Sequence, residues 1–402
     1  MDAAVGPAPA GAPVVEGAPP FDPFESGPTR DSHTSYLRHA RRNRPIFAVG
    51  PALLMVTRYD DVRSALLDPT TYSSAGNFTL ESPDVTPEQR LILQFDPPRH
   101  THLRRLERSA FARASIRDCR PWIDARVAHL LDGARERGSL EVMSELALPL
   151  TTHVIARLVG LPVEDAEELA GWVRDVSAHR PRPVYDLPSW HQLSEYLHRE
   201  VERRANEPAG DDMMSRLCRA AEARELDWDE IPFHVYQLFT AGTETTAYTI
   251  GMTLLQLLDD RSKWERWLAE PELLPAIREE GLRYTTAIRI DLRVTTTDAV
   301  LGGWQVPAGT RLVLSLESAN RDETIWSDPD RFDLDRGVDR RHLAFGAGIH
   351  MCLGAHLANS EIESVLVALR EGFAGLHLAP GFQPRLVSSA VLNGLERLDV
   401  AW

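Results

Sequence analysis

Ten residues near the C-terminal end, Phe345-Gly-Ala-Gly-Ile-His-Met-Cys-Leu-Gly354, constrain this chain more than any other stretch. The run reads F-x-x-G-x-x-x-C-x-G, one cysteine with Gly348 and Gly354 on either side. A lone cysteine is usually a small core hydrophobe, and a tight turn around a buried thiol is the bland alternative. Glycines change the balance, because they let backbone approach a bulky partner and leave N–H groups free to point at the sulphur. A helical pattern follows from Leu353, so a helix N-terminus lies beside Cys352 and favours the thiolate. A thiolate so placed is a poised metal ligand, and the glycine spacing suits contact with a flat macrocycle. Phe345 would shield the sulphur from water.

The chain has 402 residues and is 43% hydrophobic, enough to bury a large core as two or three ordinary units or as one large domain. Three cysteines, Cys119, Cys218 and Cys352, are an odd number with no metal-finger spacing, so a disulfide framework is not expected and the compartment is reducing. A net charge of −15 argues against nucleic acid as a partner. No apolar run reaches the roughly 18 residues of a membrane span. The Ala/Pro/Gly-rich start lacks the layout of a signal peptide. Residues 1–30 read as a disordered tail, 31–402 as one catalytic domain, and the location as cytoplasmic.

Helical spacing covers Ser139–Leu158, Val163–Val176, Asp229–Leu258, Pro271–Tyr284 and Leu353–Phe373. Asp227 and Glu230 form a capping box before the third of these, with Pro232 tolerated in its first turn. Leu292–Leu316 alternates β-branched and polar residues around Gly302-Gly303 and Pro307-Ala-Gly309, which predicts short strands and a hairpin. Leu376–Trp402 reads as short strands and loops, and the proline-rich stretch Arg180–Pro188 as a loop.

Three further motifs carry chemistry. Ala241-Gly-Thr-Glu-Thr-Thr246 places a glycine, an acid and an alcohol inside the long helix, which predicts a local opening beside a ligand. Glu244 and Thr245 there are candidates for proton delivery; taken alone, a kinked helix with packing threonines is the simpler reading. Glu280 and Arg283 meet at i, i+3 on a helix, and Arg331 in Pro329-Asp-Arg-Phe332 offers a second guanidinium. His100 and Arg104, four apart after Asp96-Pro-Pro-Arg, share a helix face and with Arg293 and His350 could hold two carboxylates. Singly, each of those four is more simply a solvated residue.

In order and content these motifs resemble those of a cytochrome P450 of the soluble bacterial type. The resemblance runs from about Ser32 to Trp402, and Ala319-Asn-Arg-Asp322 adds to it. It implies a mainly α fold with a smaller β-rich part, a helical prism around a buried haem b. It implies Cys352 as the iron's proximal ligand, with Phe345, Gly346 and Gly354 on the sulphur side and Ala241 over the other face. His100, Arg104, Arg293 and His350 match positions that touch the propionates. Glu244 and Thr245 match the acid–alcohol pair of dioxygen activation, and Glu280, Arg283 and Arg331 a structural salt-bridge set. Ala287, Asn359 and Thr243 depart from residues frequent in the family, and none removes a catalytic group.

The implied activity is a monooxygenase that hydroxylates or epoxidises a small organic substrate with O2 and two external electrons. Peroxide-driven oxidation, nitration, phenol coupling and a silent scaffold for a carrier-tethered partner share the same iron ligand. The chain would act as a monomer fed by a separate ferredoxin and ferredoxin reductase, docking near Arg105, Arg108, Arg340 and Arg341. The resemblance draws the pocket from Phe78–Leu93, His179–Leu187, Ala241, Thr245, Ile288–Leu292 with Ile288 and Ile290 in it, Val391 and Leu392. Arg289 stands where relatives often present an apolar side chain. Either it binds an acidic group of the substrate, or Asp291 or solvent satisfies it.

Overall fold

The computed structural model describes residues 6–7, 30–75, 91–178, 187–207, 210–338 and 341–402. The helices among them are α1 (Arg30–Asn43), α2 (Tyr59–Leu67), α3 (Arg99–Arg108), α4 (Arg113–Arg137), α5 (Leu148–Val159), α6 (Ala166–Ala178), α7 (Pro188–Ala205), α8 (Met213–Glu222), α9 (Ile231–Asp259), α10 (Arg261–Ala269), α11 (Leu274–Thr285), α12 (Leu316–Ala319) and α13 (Ala355–Gly372). The strands are β1 (Gly6–Pro7), β2 (Ile46–Gly50), β3 (Leu53–Val56), β4 (Tyr72–Ser73), β5 (Ser139–Glu141), β6 (Ile290–Thr295), β7 (Ala299–Leu301), β8 (Trp304–Val306), β9 (Arg311–Ser315), β10 (His377–Leu378) and β11 (Asp399–Ala401).

The longest helix, α9, organises the body. Its apolar residues point every way, the mark of a helix buried all round; Val235, Ile250, Met252, Leu254 and Leu257 have no exposed surface. The Asp227–Glu230 box starts it as predicted, the Asp227 N–H donating to the Glu230 carboxylate at 3.0 Å. A Cβ on Gly242 would lie 2.9 Å from Ile155, so that glycine lets α5 approach α9. Gly242 is thus a helix-packing residue within a helix assigned from Ile231 to Asp259.

The strands form a five-stranded sheet in the order β2-β3-β9-β6-β4, with β3 and β9 parallel, and two three-stranded sheets, β1-β8-β7 and β10-β11-β5. One large core cluster fills the helical body, and two smaller ones flank the five-stranded sheet.

Four of the five expected helices stand within a few residues of their predicted bounds. The fifth is corrected at its start, where Ser139–Glu141 is a strand paired with β11. The Glu141 carboxylate accepts the N–H groups of Ser144 at 2.7 Å and Leu398 at 2.7 Å, tying the turn before α5 to the C-terminal strand. That long-range partner overrides a helical pattern read locally. Gly6–Pro7, inside the stretch expected to be disordered, pair in parallel with β8. The rest of 1–29 lies outside the described residues.

Candidate active site

The cysteine loop is shaped by backbone that only glycine adopts easily. Gly346 and Gly348 sit at φ of 66° and 71°, and a Cβ on Gly348 would meet the Leu66 carbonyl oxygen at 2.3 Å. The Cys352 N–H donates to the Phe345 carbonyl at 2.8 Å and closes the loop. Gly354 donates its N–H to the sulphur and caps α13. Cys352 keeps accessible surface, yet its sulphur lies deep among protein atoms. That depth pushes the thiol up, while the Gly354 N–H and the Arg104 guanidinium act the other way. Arg104 also donates to the Met351 carbonyl, one residue from the sulphur. Phe345 is half-buried, its ring 6.0 Å from that of His342.

The four residues read as carboxylate holders come together. His100 and His350 pack ring on ring, centroids 4.2 Å apart. Burial, then Arg104, depresses His100; burial, then His100 and Arg293, brings His350 down to about 3. Both rings are therefore neutral near pH 7. Arg293, 2% exposed, donates to the Leu292 carbonyl at 2.6 Å and pairs with Asp291 at 2.9 Å. Both ring nitrogens of His100 and Nε2 of His350 are buried without a hydrogen-bond partner. Buried polar atoms are nearly always bonded, so three such nitrogens beside two arginines fit a ligand that brings oxygen acceptors. Among the described residues no group of three or more His, Cys, Asp or Glu could hold a metal ion. A single thiolate with acceptor-hungry neighbours suits a haem.

On α9, Thr245 donates its hydroxyl to the Ala241 carbonyl at 2.7 Å. Ala241 is exposed on a helix otherwise largely buried. Burial raises Glu244, against the pull of Arg174 on α6 and a 3.4 Å hydrogen bond from the Tyr248 hydroxyl. Tyr248 was missed by sequence reasoning, since nothing in the local spacing marks it. Its ring lies against Gly394, whose Cβ would come within 2.1 Å of it.

Glu280 and Arg283 form a buried bidentate pair at 2.7 Å on both arms. The remaining Arg283 donors go to the carbonyls of Asn320 at 2.9 Å, Pro329 at 2.8 Å and Arg331 at 3.2 Å. The role given to the Arg331 side chain is corrected here: Arg331 is exposed and supplies only its carbonyl. The second guanidinium is that of Arg336, 3.1 Å from Glu280. Arg336 lies on the short turn after Phe332, which brings it back over α11. Asn320 completes the set, its side-chain carbonyl accepting the Leu343 N–H at 2.6 Å just before the cysteine loop.

On the substrate side Ile288 and Leu392 form a β-bridge, both half-buried, and the Arg289 N–H donates to Val391 at 2.7 Å. Ile290 is corrected to a core residue: it is 3% exposed and belongs to the cluster of Tyr36, Phe47 and Val313. Arg289 is buried beside Glu317 at 3.6 Å and donates to Asn393 at 3.5 Å. Its expected internal partner, Asp291, pairs with Arg293 instead. Residues 78–90, 179–186 and Arg340 lie outside the described residues. Arg105, Arg108 and Arg341 are exposed, and Arg105 pairs with Glu225 at 3.3 Å.

The architecture is that of solved bacterial haem-thiolate oxygenases. The crystal structure of CalO2 superposes with a TM-score of 0.86 at 28% identity, covering 95% of this chain and 98% of that one. Residues 188–378 match the profile of the family Cytochrome P450. Nocardicin C N-oxygenase of Nocardia uniformis subsp. tsuyamanensis is 34% identical over 394 residues, 94% of this chain and 98% of that protein. The 20-oxo-5-O-mycaminosyltylactone 23-monooxygenase of Streptomyces fradiae is 33% identical over 358 residues, 88% and 84% of the two chains. The chain belongs to the cytochrome P450 family. It is a haem-iron monooxygenase that uses O2 and electrons from redox partners. Among the described residues no helix is long and apolar enough to cross a membrane.

Proposed function

We propose that this protein holds haem b through Cys352 and inserts one oxygen atom into a natural-product intermediate, drawing electrons from a ferredoxin and its reductase. The observation that carries the site is the meeting of three unbonded buried imidazole nitrogens with two arginines beside the glycine-wrapped cysteine. A bound haem would supply dioxygen activation, which a thiolate ligand would strengthen.

The chain's own groups do the rest. The Gly354 N–H and Arg104 stabilise negative charge on the Cys352 sulphur. His100 and His350 would hold the propionates through ring N–H groups, with Arg104 and Arg293 supplying the balancing charge. Phe345 and Gly346 close the sulphur side, and Ala241 keeps the opposite face small. Because the Thr245 hydrogen is directed at the Ala241 carbonyl, its oxygen is free to accept from a water. Burial raises Glu244, which makes it the chain's acid for proton delivery beside Thr245.

The activities named for the relatives support the substrate class: an N-oxygenase of nocardicin C and a 23-monooxygenase of a mycaminosyltylactone. Ile288, Val391 and Leu392 give an apolar wall for such a compound. Glu317 beside Arg289 balances its charge, which argues against a substrate carboxylate there; an acid and its methyl ester should bind alike. Exposed Arg105, Arg108 and Arg341 suit an acidic redox partner, and the chain acts as a monomer in one domain over residues 31–402.

The deciding measurement is the carbonyl spectrum of the reduced protein. A thiolate-type band is expected, lost in Cys352→His. An imidazole-type band in the unsubstituted protein would end this reading. A Soret titration with candidate compounds then ranks substrates without the redox partners.

A further inference from the structure

We infer that the buried Glu107–His234 contact is a strut that fixes the helix carrying the carboxylate holders against the helix carrying the oxygen-side pair. The inference rests on the haem site proposed above. His234 Nδ1 lies 2.7 Å from the Glu107 carboxylate, with the two side chains 6% and 0% exposed. On α3, His100, Arg104 and Glu107 fall at i, i+4 and i+7, one stripe of the helix. On α9, His234, Ala241 and Thr245 are seven and eleven residues apart, close to two and three turns at about 3.6 residues each. One short contact therefore joins the two stripes that line the site.

Packing alone does not require this pair. Replacing a buried ionic pair by apolar side chains of similar volume is often neutral or better for stability. A buried hydrogen bond between His234 and the Glu107 carboxylate fixes distance and orientation, which an apolar contact does only loosely. Glu107 also lies within electrostatic reach of His100 and Arg104. Its second oxygen, Oε2, has no hydrogen-bond partner, so the carboxylate is committed to His234 alone. Two other links between α3 and this part of the chain are exposed, His102 with the Glu225 carbonyl at 2.6 Å and Arg105 with Glu225, and a third, half-exposed Arg99 with buried Glu230, reaches only the N-terminal cap of α9. Glu107 and His234 are positioning residues and touch neither substrate nor the reacting atoms.

The test uses the haem-loaded protein and three readouts: thermal unfolding, transfer of haem to excess apomyoglobin, and peroxide formed per electron consumed. The double variant Glu107→Leu/His234→Leu keeps the volume and should unfold like the parent. It should release haem about tenfold faster or more, the scale seen when an outer-shell contact to a metal site is lost, and leak more peroxide. Glu107→Gln, whose amide oxygen still accepts from His234, should stay near the parent in both. A double variant matching the parent in both readouts overturns the strut, and so does a Glu107→Gln variant as impaired as the double. Should the double variant not fold, His234→Gln decides: its amide N–H still reaches the carboxylate, and fast haem release there sinks the idea. A thiolate-type carbonyl band surviving in Cys352→His would overturn the site and the strut with it, whereas unchanged haem release in the double variant removes the strut alone.

Discussion

A proton on its way to Thr245 needs a neighbour that can hold it, and Glu244 is the acid beside it in the chain. Burial raises that acid, while Arg174 and the Tyr248 hydroxyl favour its charged form; Glu396 is the further charged group close to Tyr248. Tyr248→Phe removes the hydroxyl that stabilises the carboxylate, so Glu244 should lose its proton at higher pH. The pH profile of product against peroxide should move upward accordingly, and an unmoved profile would count against Tyr248 as a partner. Thr245→Ala should keep the haem spectrum and divert reducing equivalents to peroxide; unchanged coupling would take Thr245 out of the relay. Cys352, Thr245 and Glu244 could be singled out from sequence because their chemistry is tied to local spacing. Tyr248 could not, because what seats its ring is Gly394, far along the chain.

At the scale of the element, the turn between α11 and the cysteine loop hangs on Arg283. Its five N–H donors all have acceptors: two oxygens of Glu280 and three main-chain carbonyls. Lysine has three donors and no planar fork. Arg283→Lys keeps the charge but leaves about two acceptors without a donor, so it should lose stability on the order of 2–6 kcal/mol; denaturant unfolding of the haem-loaded protein measures it, and a loss below about 1 kcal/mol, the range of exposed pairs, would show the set to be peripheral. The i, i+3 spacing of Glu280 and Arg283 was visible in the sequence. Which later arginine completes the set was not, because Arg331 and Arg336 lie on one irregular segment and only its fold turns Arg336 inward. The strand at Ser139–Glu141 was hidden for the same reason, its partner β11 being at the other end of the chain.

For the molecule as a whole, an acid buried in the core adds a pH dependence to stability. Glu361 on α13 is 1% exposed, its Oε1 has no hydrogen-bond partner, and burial raises it well above the ordinary carboxylate value. The folded state thus binds a proton that the unfolded state has released above about pH 4. Stability from this group is greatest below that point and falls as pH rises toward the folded-state value. Glu361→Gln should remove that fall and raise the neutral-pH unfolding midpoint, with the gain vanishing in acid; a variant no more stable at pH 7 would place the carboxylate near water. Such burial cannot be read from the helical pattern, which shows only a polar residue among apolar ones. The haem-iron class and the mainly helical architecture were both legible, because the motifs that carry them are contiguous.

The saturated guanidinium of Arg283 has a historical corollary. A group with no idle donor cannot be traded in small steps, since any intermediate strands a carbonyl in the dark interior. Variation is thereby channelled outward, toward contacts such as Ile288 with Leu392, where one aliphatic outline can give way to another. New substrates can then be acquired over evolutionary time while the turn that Arg283 ties down is inherited whole.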